Sequence, residues 1–406
     1  MAYETAGGTV LAERPDHVPS TLVHPLDQWN GTDFLADPFA WFDRAREQFR
    51  VFWSPHHGGF WCLTRYDDVH EAMQRHELFS NRLTNIPGRD VRLLPISLDP
   101  PEHTTYRRLV NGPFSPGRIE NISARIRERC HALIDDLAHR DEFDFMEVFA
   151  NPLPTEIFCG LLGLPVEEAQ KFIEWNYVIL HVQGDADANV RQQRANQELY
   201  AYLTELVEVR ATDPREDVLS ALIPLEIGGR PVRRDEVVAL TYLLFMAGLD
   251  TVIAALGWAW KFLAENPVHR RQLIDEPSLI PNAIEELLRY HSFLASSRTV
   301  TRDLEFAGVS MKEGERVMIG LPPAGRDPRQ FPDADTVDFR REPIRHMAFA
   351  VGPHRCLGSH LARAELRIAL EVWLERLPHF RVSDGARIRY HGGAVMGPDT
   401  LPLTRL

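Results

Sequence analysis

Phe349-Ala350-Val351-Gly352-Pro353-His354-Arg355-Cys356-Leu357-Gly358 is the stretch on which the reading of this chain turns. It sets one cysteine between two glycines, six residues apart. Glycine lets a backbone turn tightly and pass close to a flat partner without a side-chain clash. After the cysteine, Leu357, Leu361, Leu366 and Ile368 recur at helical spacing, so the sulfur falls at a helix N-terminus. Backbone N–H groups and the helix dipole there are expected to lower a thiol pKa. Two readings fit a cysteine so placed: a buried structural thiol in a glycine-containing turn, or a thiolate held ready for a metal.

Three further patterns lie upstream. Glu286-Leu287-Leu288-Arg289 puts an acid and a base at i and i+3, on one helical face, where they can pair bidentately. Such pairs most often form a solvated face. Ala247-Gly248-Leu249-Asp250-Thr251 interrupts a long apolar run. Gly248 lowers local helix stability, and Thr251 can bond backward to a carbonyl, so a local bulge is expected. His103-Thr104-Thr105-Tyr106-Arg107 follows Leu98-Asp99-Pro100-Pro101-Glu102, which places His103 and Arg107 on one face of a helix begun by proline and acid.

In this order the motifs resemble those of the cytochrome P-450 superfamily over nearly the whole chain. The cysteine stretch matches that family's haem-thiolate signature: Phe, two residues, Gly, three residues, Cys, one residue, Gly. The resemblance extends to soluble bacterial terpene hydroxylases of the camphor-hydroxylase type. It rests there on Gly248-Leu249-Asp250-Thr251-Val252, Leu263-Ala264 with Pro267 and His269, residues 285–289, and Cys356-Leu357-Gly358 with His360-Leu361-Ala362-Arg363.

The resemblance implies a mainly α protein: a large helical domain with a smaller β-rich region and haem b between the central helix and the cysteine loop. Cys356 is then the iron ligand. His103, Arg107, Arg298 and His354 hold the propionates, which need donors in a partly dry site. Phe349, Gly358, Ala247 and Gly248 lie against the haem. Asp250 and Thr251 deliver protons to bound oxygen. Glu286 and Arg289 are structural, with Arg341 as their third partner. The substrate pocket is formed by Val91, Leu93, Leu94, Leu243, Met246, Leu294, Ser296, Ala394 and Val395, apolar except Ser296. A small hydrophobic substrate, a terpenoid, fits that lining.

The implied reaction inserts one atom of O2 into a C–H bond. Electrons come from a [2Fe-2S] ferredoxin and an NAD(P)H-dependent reductase, because the chain shows no flavin fingerprint. Arg107, Arg108, Arg355 and Arg363 are expected near the face where the ferredoxin docks. Alternatives are a haem-thiolate redox or gas sensor without turnover, or the same fold performing desaturation or C–C cleavage. Two departures stand out: Ala350 replaces a common glycine, and 181–189 holds no Lys or Arg to pair with Asp250.

The remaining sequence fits this reading. The net charge of −13 disfavours a nucleic-acid partner. Four scattered cysteines without a CxxC pair argue for a reducing, cytoplasmic setting. The apolar run 237–260 approaches the length of a membrane span, but Asp250 falls inside it, so a buried central helix is expected rather than membrane insertion. A single domain is expected over 1–406. Its β-rich part covers about 40–80, 298–320 and 380–405, and its helical part about 100–295 and 357–376. Helical patterns are read at 118–138, 155–163, 166–181, 190–210, 214–222, 233–265, 267–274 and 278–291. A helix over 67–74 is expected to be capped by Asp67 or Asp68.

Overall fold

The computed structural model describes residues 5–6, 9–88, 92–137, 139–182 and 186–406. Helix accounts for 54% of the chain and strand for 12%, so the fold is mainly α. The main sheet has five strands, in the order Val51–Ser54, Phe60–Leu63, Arg316–Gly320, Ala295–Val300, Phe79–Ser80. Its pairings are antiparallel except that Arg316–Gly320 runs parallel to Phe60–Leu63. Trp61, Leu63, Val317 and Ile319 bury one face in a small core with Met73, Met311 and Met347.

The larger core is helical. Helix Ser359–Arg376 lies along Pro116–Asp135 and against Asp250–Glu265. Phe145, Phe149, Trp260 and Trp373 interlock there as stacked and edge-on rings 5.0–6.0 Å apart. Such pairs add about 0.5–1.5 kcal/mol each beyond area burial. The long apolar helix is built into this interior, with most of its apolar side chains buried.

Several boundaries differ from the sequence expectation for local reasons. The run 233–265 is two helices, Arg234–Gly248 and Asp250–Glu265, broken at Leu249. Val218–Leu222 replaces the longer 214–222 segment, because Pro214 precedes the true start and the Asp217 carboxylate caps the Ser220 N–H. Asp67 and Asp68 do not cap their helix. It begins at Tyr66, Arg65 holds the cap position, and both acids lie in the first turn. Asp68 instead takes two hydrogen bonds from Arg50, at 2.7 and 2.9 Å.

One buried ion pair fixes the connection that leads to the cysteine loop. Glu286 and Arg289, both fully buried, bond twice at 2.7 Å. Arg341 donates to the same carboxylate at 3.0 Å, as does the Asp338 N–H. The rest of the Arg289 guanidinium is spent on the carbonyls of Gly325, Ala334 and Thr336. The pair therefore ties helix Ile280–Tyr290 to the irregular 325–341 segment.

Candidate active site

The cysteine loop closes on itself. The Cys356 N–H donates to the Phe349 carbonyl at 2.8 Å, and the Ala350 N–H to Met347 at 2.8 Å. Gly352 has φ +74, and a Cβ there would sit 2.8 Å from the Met73 carbonyl oxygen. Ala350 also lies in the left-handed region, at φ 56, where a side chain costs about 1–2 kcal/mol. Cys62, Cys130 and Cys159 are buried, whereas Cys356 is exposed. Burial of its surroundings raises the Cys356 thiol pKa and outweighs the lowering by the Gly358 N–H and by Arg107, Arg363 and Arg355. The Gly358 N–H at the helix start thus acts in the expected direction, but burial of the site outweighs it.

Four bases gather beside this loop. The His103 and His354 rings are 4.2 Å apart, and His103 Nδ1 and His354 Nε2 are buried without a hydrogen-bond partner. Desolvation, then neighbouring cations, pulls their pKa values down to about 4 and about 2. Arg298 is buried, and desolvation lowers it to about 10. Its hydrogen bonds go to Ser296 Oγ and the Ser297 carbonyl, at 2.9 and 2.8 Å. Arg107 reaches the Arg355 carbonyl at 2.6 Å and Asn111 at 3.2 Å, so it braces the cysteine loop. Buried bases with unused nitrogens and no carboxylate bonded to them fit a dianionic group such as the haem propionates.

The broken helix supplies the opposite chemistry. Thr251 Oγ donates to the Ala247 carbonyl at 3.0 Å. Ala247 is exposed although its helix runs through the core. Gly248 has a packing role that its spacing did not disclose, since a Cβ there would meet the Phe158 ring at 2.3 Å.

Asp250 is buried, and its Oδ1 bonds His181 Nε2 at 2.8 Å. Burial pushes the Asp250 carboxyl up, but the His181 charge and hydrogen bond and the His391 charge hold it below the ordinary value. In the same way burial lowers His181, and Asp250 and Asp399 more than reverse this. The basic partner sought among lysines and arginines is a histidine at the end of helix Ala169–His181. Beyond it the His391 ring lies 3.9 Å away, itself bonded through Nδ1 to Asp399 at 2.7 Å. A polar cavity of about 260 Å3 reaches Asp250 and His391 past Thr155, Asn176, Tyr177 and Arg389.

A larger cavity, of about 870 Å3, has His181 in its wall. Of the residues named above for a substrate pocket, Leu93, Met246, Ala394 and Val395 line this cavity. Leu94, Leu243, Leu294 and Ser296 are not among its walls: Leu94 is buried in the main core, Leu294 bridges to Val395, and Ser296 serves Arg298. Val91 lies outside the described residues. The wall is mainly apolar but carries polar groups that were not expected. Helix Ala186–Thr212 presents Asn189, Gln192, Gln193, Asn196 and Gln197, facing Tyr242 and Arg92. Asn196 accepts from the Tyr242 hydroxyl. A polar helical face ordinarily signals solvent, and Asn189, Gln193 and Gln197 are exposed; that Gln192 is buried and Asn196 half-buried in the cavity wall was not legible in the sequence.

The docking expectation also changes at one position. Arg363 makes two bonds to Glu285, at 2.6 and 2.7 Å, and lies over the Phe349 ring. It supports the cysteine loop rather than offering a free charge. Arg108 and Arg355 are exposed.

Comparison with known proteins accords with this geometry. The cytochrome P450 family model matches residues 186–398. "Probable cytochrome P450 127A1" of Sinorhizobium fredii is 34% identical over 403 residues, covering 96% of both chains. The mycinamicin IV hydroxylase/epoxidase of Micromonospora griseorubida is 35% identical over 359 residues, 84% of this chain and 89% of its own. The crystal structure of CYP101J2 superimposes with a TM-score of 0.89 at 32% identity, over 98% of this chain and 100% of that one. The chain belongs to the cytochrome P450 family, haem b enzymes of the monooxygenase class.

Proposed function

We propose that this chain is a single-domain monooxygenase that hydroxylates a hydrophobic substrate of the terpenoid class, in the cytoplasm. A [2Fe-2S] ferredoxin, recharged by an NAD(P)H-dependent reductase, supplies the electrons. Bound haem supplies the iron at which O2 is activated and cleaved. Cys356 would ligate that iron, and His103, Arg298 and His354 would hold the propionates, with Arg107 bracing the loop. Phe349, Gly358, Ala247 and Gly248 would contact or border the macrocycle.

The protein's own part is to place a proton beside the reacting oxygen. Thr251 presents a hydroxyl whose hydrogen is parked on the Ala247 carbonyl and can be turned toward a guest. Asp250 holds its second carboxylate oxygen unpartnered beside a polar cavity. That buried acid–base pair, next to an alcohol at a helix break, carries the proposal. A sensor without turnover has no use for it. The amides facing the large cavity favour a substrate that bears polar groups on an apolar frame.

The test is the carbonyl spectrum of the reduced protein. Wild type should show the long-wavelength band of thiolate ligation, and Cys356→Ala should lose it. A histidine-type spectrum in wild type would overturn the proposal.

A further inference from the structure

Three elements bring His181, Asp250 and His391 together: the end of Ala169–His181, the start of Asp250–Glu265, and strand Tyr390–His391. One ligating atom from each lies within 4.8 Å of the others. Two imidazoles and one carboxylate are a common set for borderline divalent ions.

The cluster shows unmet valence. Asp250 Oδ2 and His391 Nε2 are buried and lack hydrogen-bond partners, and His181 Nδ1 has no partner beyond the Gly392 backbone. The His181 and Asp250 side chains are only 4% and 8% exposed. Buried polar atoms are usually satisfied, so two orphans in one cluster call for a partner.

The surroundings suit a cation. Asp399 takes His391 Nδ1 at 2.7 Å. This leaves Nε2 as the lone-pair nitrogen and reproduces the carboxylate–histidine arrangement that orients metal-bound imidazoles. Two carboxylates accompany the two rings, and the polar cavity beside Asp250 gives an entry path. Arg389 is the cation that also lines this cavity, and it opposes entry without being part of the cluster. Tetrahedral zinc at ordinary bond lengths needs ligand atoms ~3.4 Å apart, so modest side-chain rotation closes the set.

We propose that His181, Asp250 and His391, oriented by Asp399, form a divalent transition-metal site of zinc type, separate from the cysteine loop. Occupation engages the same carboxylate that is assigned to proton delivery. The inhibition that follows rests on the proposed function, whereas the binding does not.

The experiment uses untagged ferric holoenzyme, in which haem already occupies Cys356 and its neighbours. Calorimetric titration with Zn2+ should give one saturable site per chain. His391→Ala should weaken it at least tenfold. Asp399→Asn, which keeps shape and removes only the orienting charge, should weaken it severalfold. Retained carbonyl spectra would show that both variants are folded. No saturable site, or equal affinity in wild type and His391→Ala, would overturn the proposal, as would weak multi-site uptake by surface histidines. In turnover assays Zn2+ should slow substrate oxidation by wild type more than by His391→Ala. Stoichiometric binding without inhibition would leave the site standing and instead count against Asp250 as the proton donor.

Discussion

His181 and Asp250 are bonded at 2.8 Å in the interior, from two helices that are 69 residues apart in sequence. A histidine in this place makes the acid sensitive to pH in a range where a lysine or arginine partner would be silent.

The sign follows from the two shifts. Asp250 lies below its ordinary value of 3.8, so its contribution is present above that pH and is lost as pH falls through the folded value. His181 lies above 6.5, so its contribution is present below 6.5 and is lost as pH rises through its raised folded value. The pair therefore stabilises the fold fully between 3.8 and 6.5 and less on the alkaline side. Removing one partner of a buried pair costs about 3–5 kcal/mol. His181→Ala should lower stability by about 3 kcal/mol at pH near 6, and by less near pH 9. Denaturant midpoints that shift equally at both pH values would refute this.

Thr251→Ala removes the hydroxyl without disturbing any wall of the large cavity. Substrate affinity from optical titration should stay within about twofold. Product formed per NAD(P)H should fall severalfold, with the balance appearing as peroxide. Thr251→Ser should restore most of the coupling. Full coupling in Thr251→Ala would remove Thr251 from the proton path.

Glu286→Ala leaves the Arg289 guanidinium buried and stripped of its counter-charge. A loss of about 3–5 kcal/mol is expected, enough to prevent recovery of haem-loaded protein. Arg341→Ala, further from the centre of the network, should cost less and still yield holoprotein. Haem content per chain and thermal midpoints measure both. Normal yields of the Glu286 variant would show that the network is dispensable.

Of the arginines named for docking the proposed ferredoxin, Arg108 and Arg355 are exposed, whereas Arg363 is committed to Glu285. Arg108→Glu should slow electron transfer at limiting ferredoxin severalfold and leave substrate binding unchanged. Raising the salt should slow wild type more than the variant. Arg363→Glu should instead lower stability by repelling Glu285. If salt affects wild type and Arg108→Glu alike, the docking face lies elsewhere.

Some of this arrangement could be read from the chain alone because it depends on short spacings. Cys356 between its glycines, Glu286 with Arg289, and Thr251 after Gly248 are each set by one turn of backbone. Their partners across the fold were harder. Arg341 could be anticipated only through family resemblance. His181 escaped notice because the search was for permanent cations, and a histidine at a helix end carries no distinctive local pattern. The cavity wall was misjudged for a similar reason. In the row Asn189, Gln192, Gln193, Asn196 and Gln197, the first, third and last are exposed as the pattern suggests, but Gln192 is buried and Asn196 half-buried, which no local pattern discloses. The break at Leu249 was anticipated as a bulge, whereas the need for glycine at 248 arises from the Phe158 ring, which no local rule places there.

The left-handed alanine at 350 bears on how the sulfur is tuned. A short peptide with this sequence would not adopt the loop unaided, because Ala350 opposes it. The conformation is imposed by Met347, which accepts the Ala350 N–H, and by Met73, whose carbonyl leaves no room for a side chain at 352. Both methionines belong to the small core behind the five-stranded sheet, not to the helices around the active site. The pose of Cys356 is therefore an inheritance from the β side of the molecule, as would be the electron donation of its thiolate in the ligand role proposed above. Repacking Met73 or Met347 should move the reduction potential of the bound iron without altering a single residue that touches substrate, oxygen or sulfur.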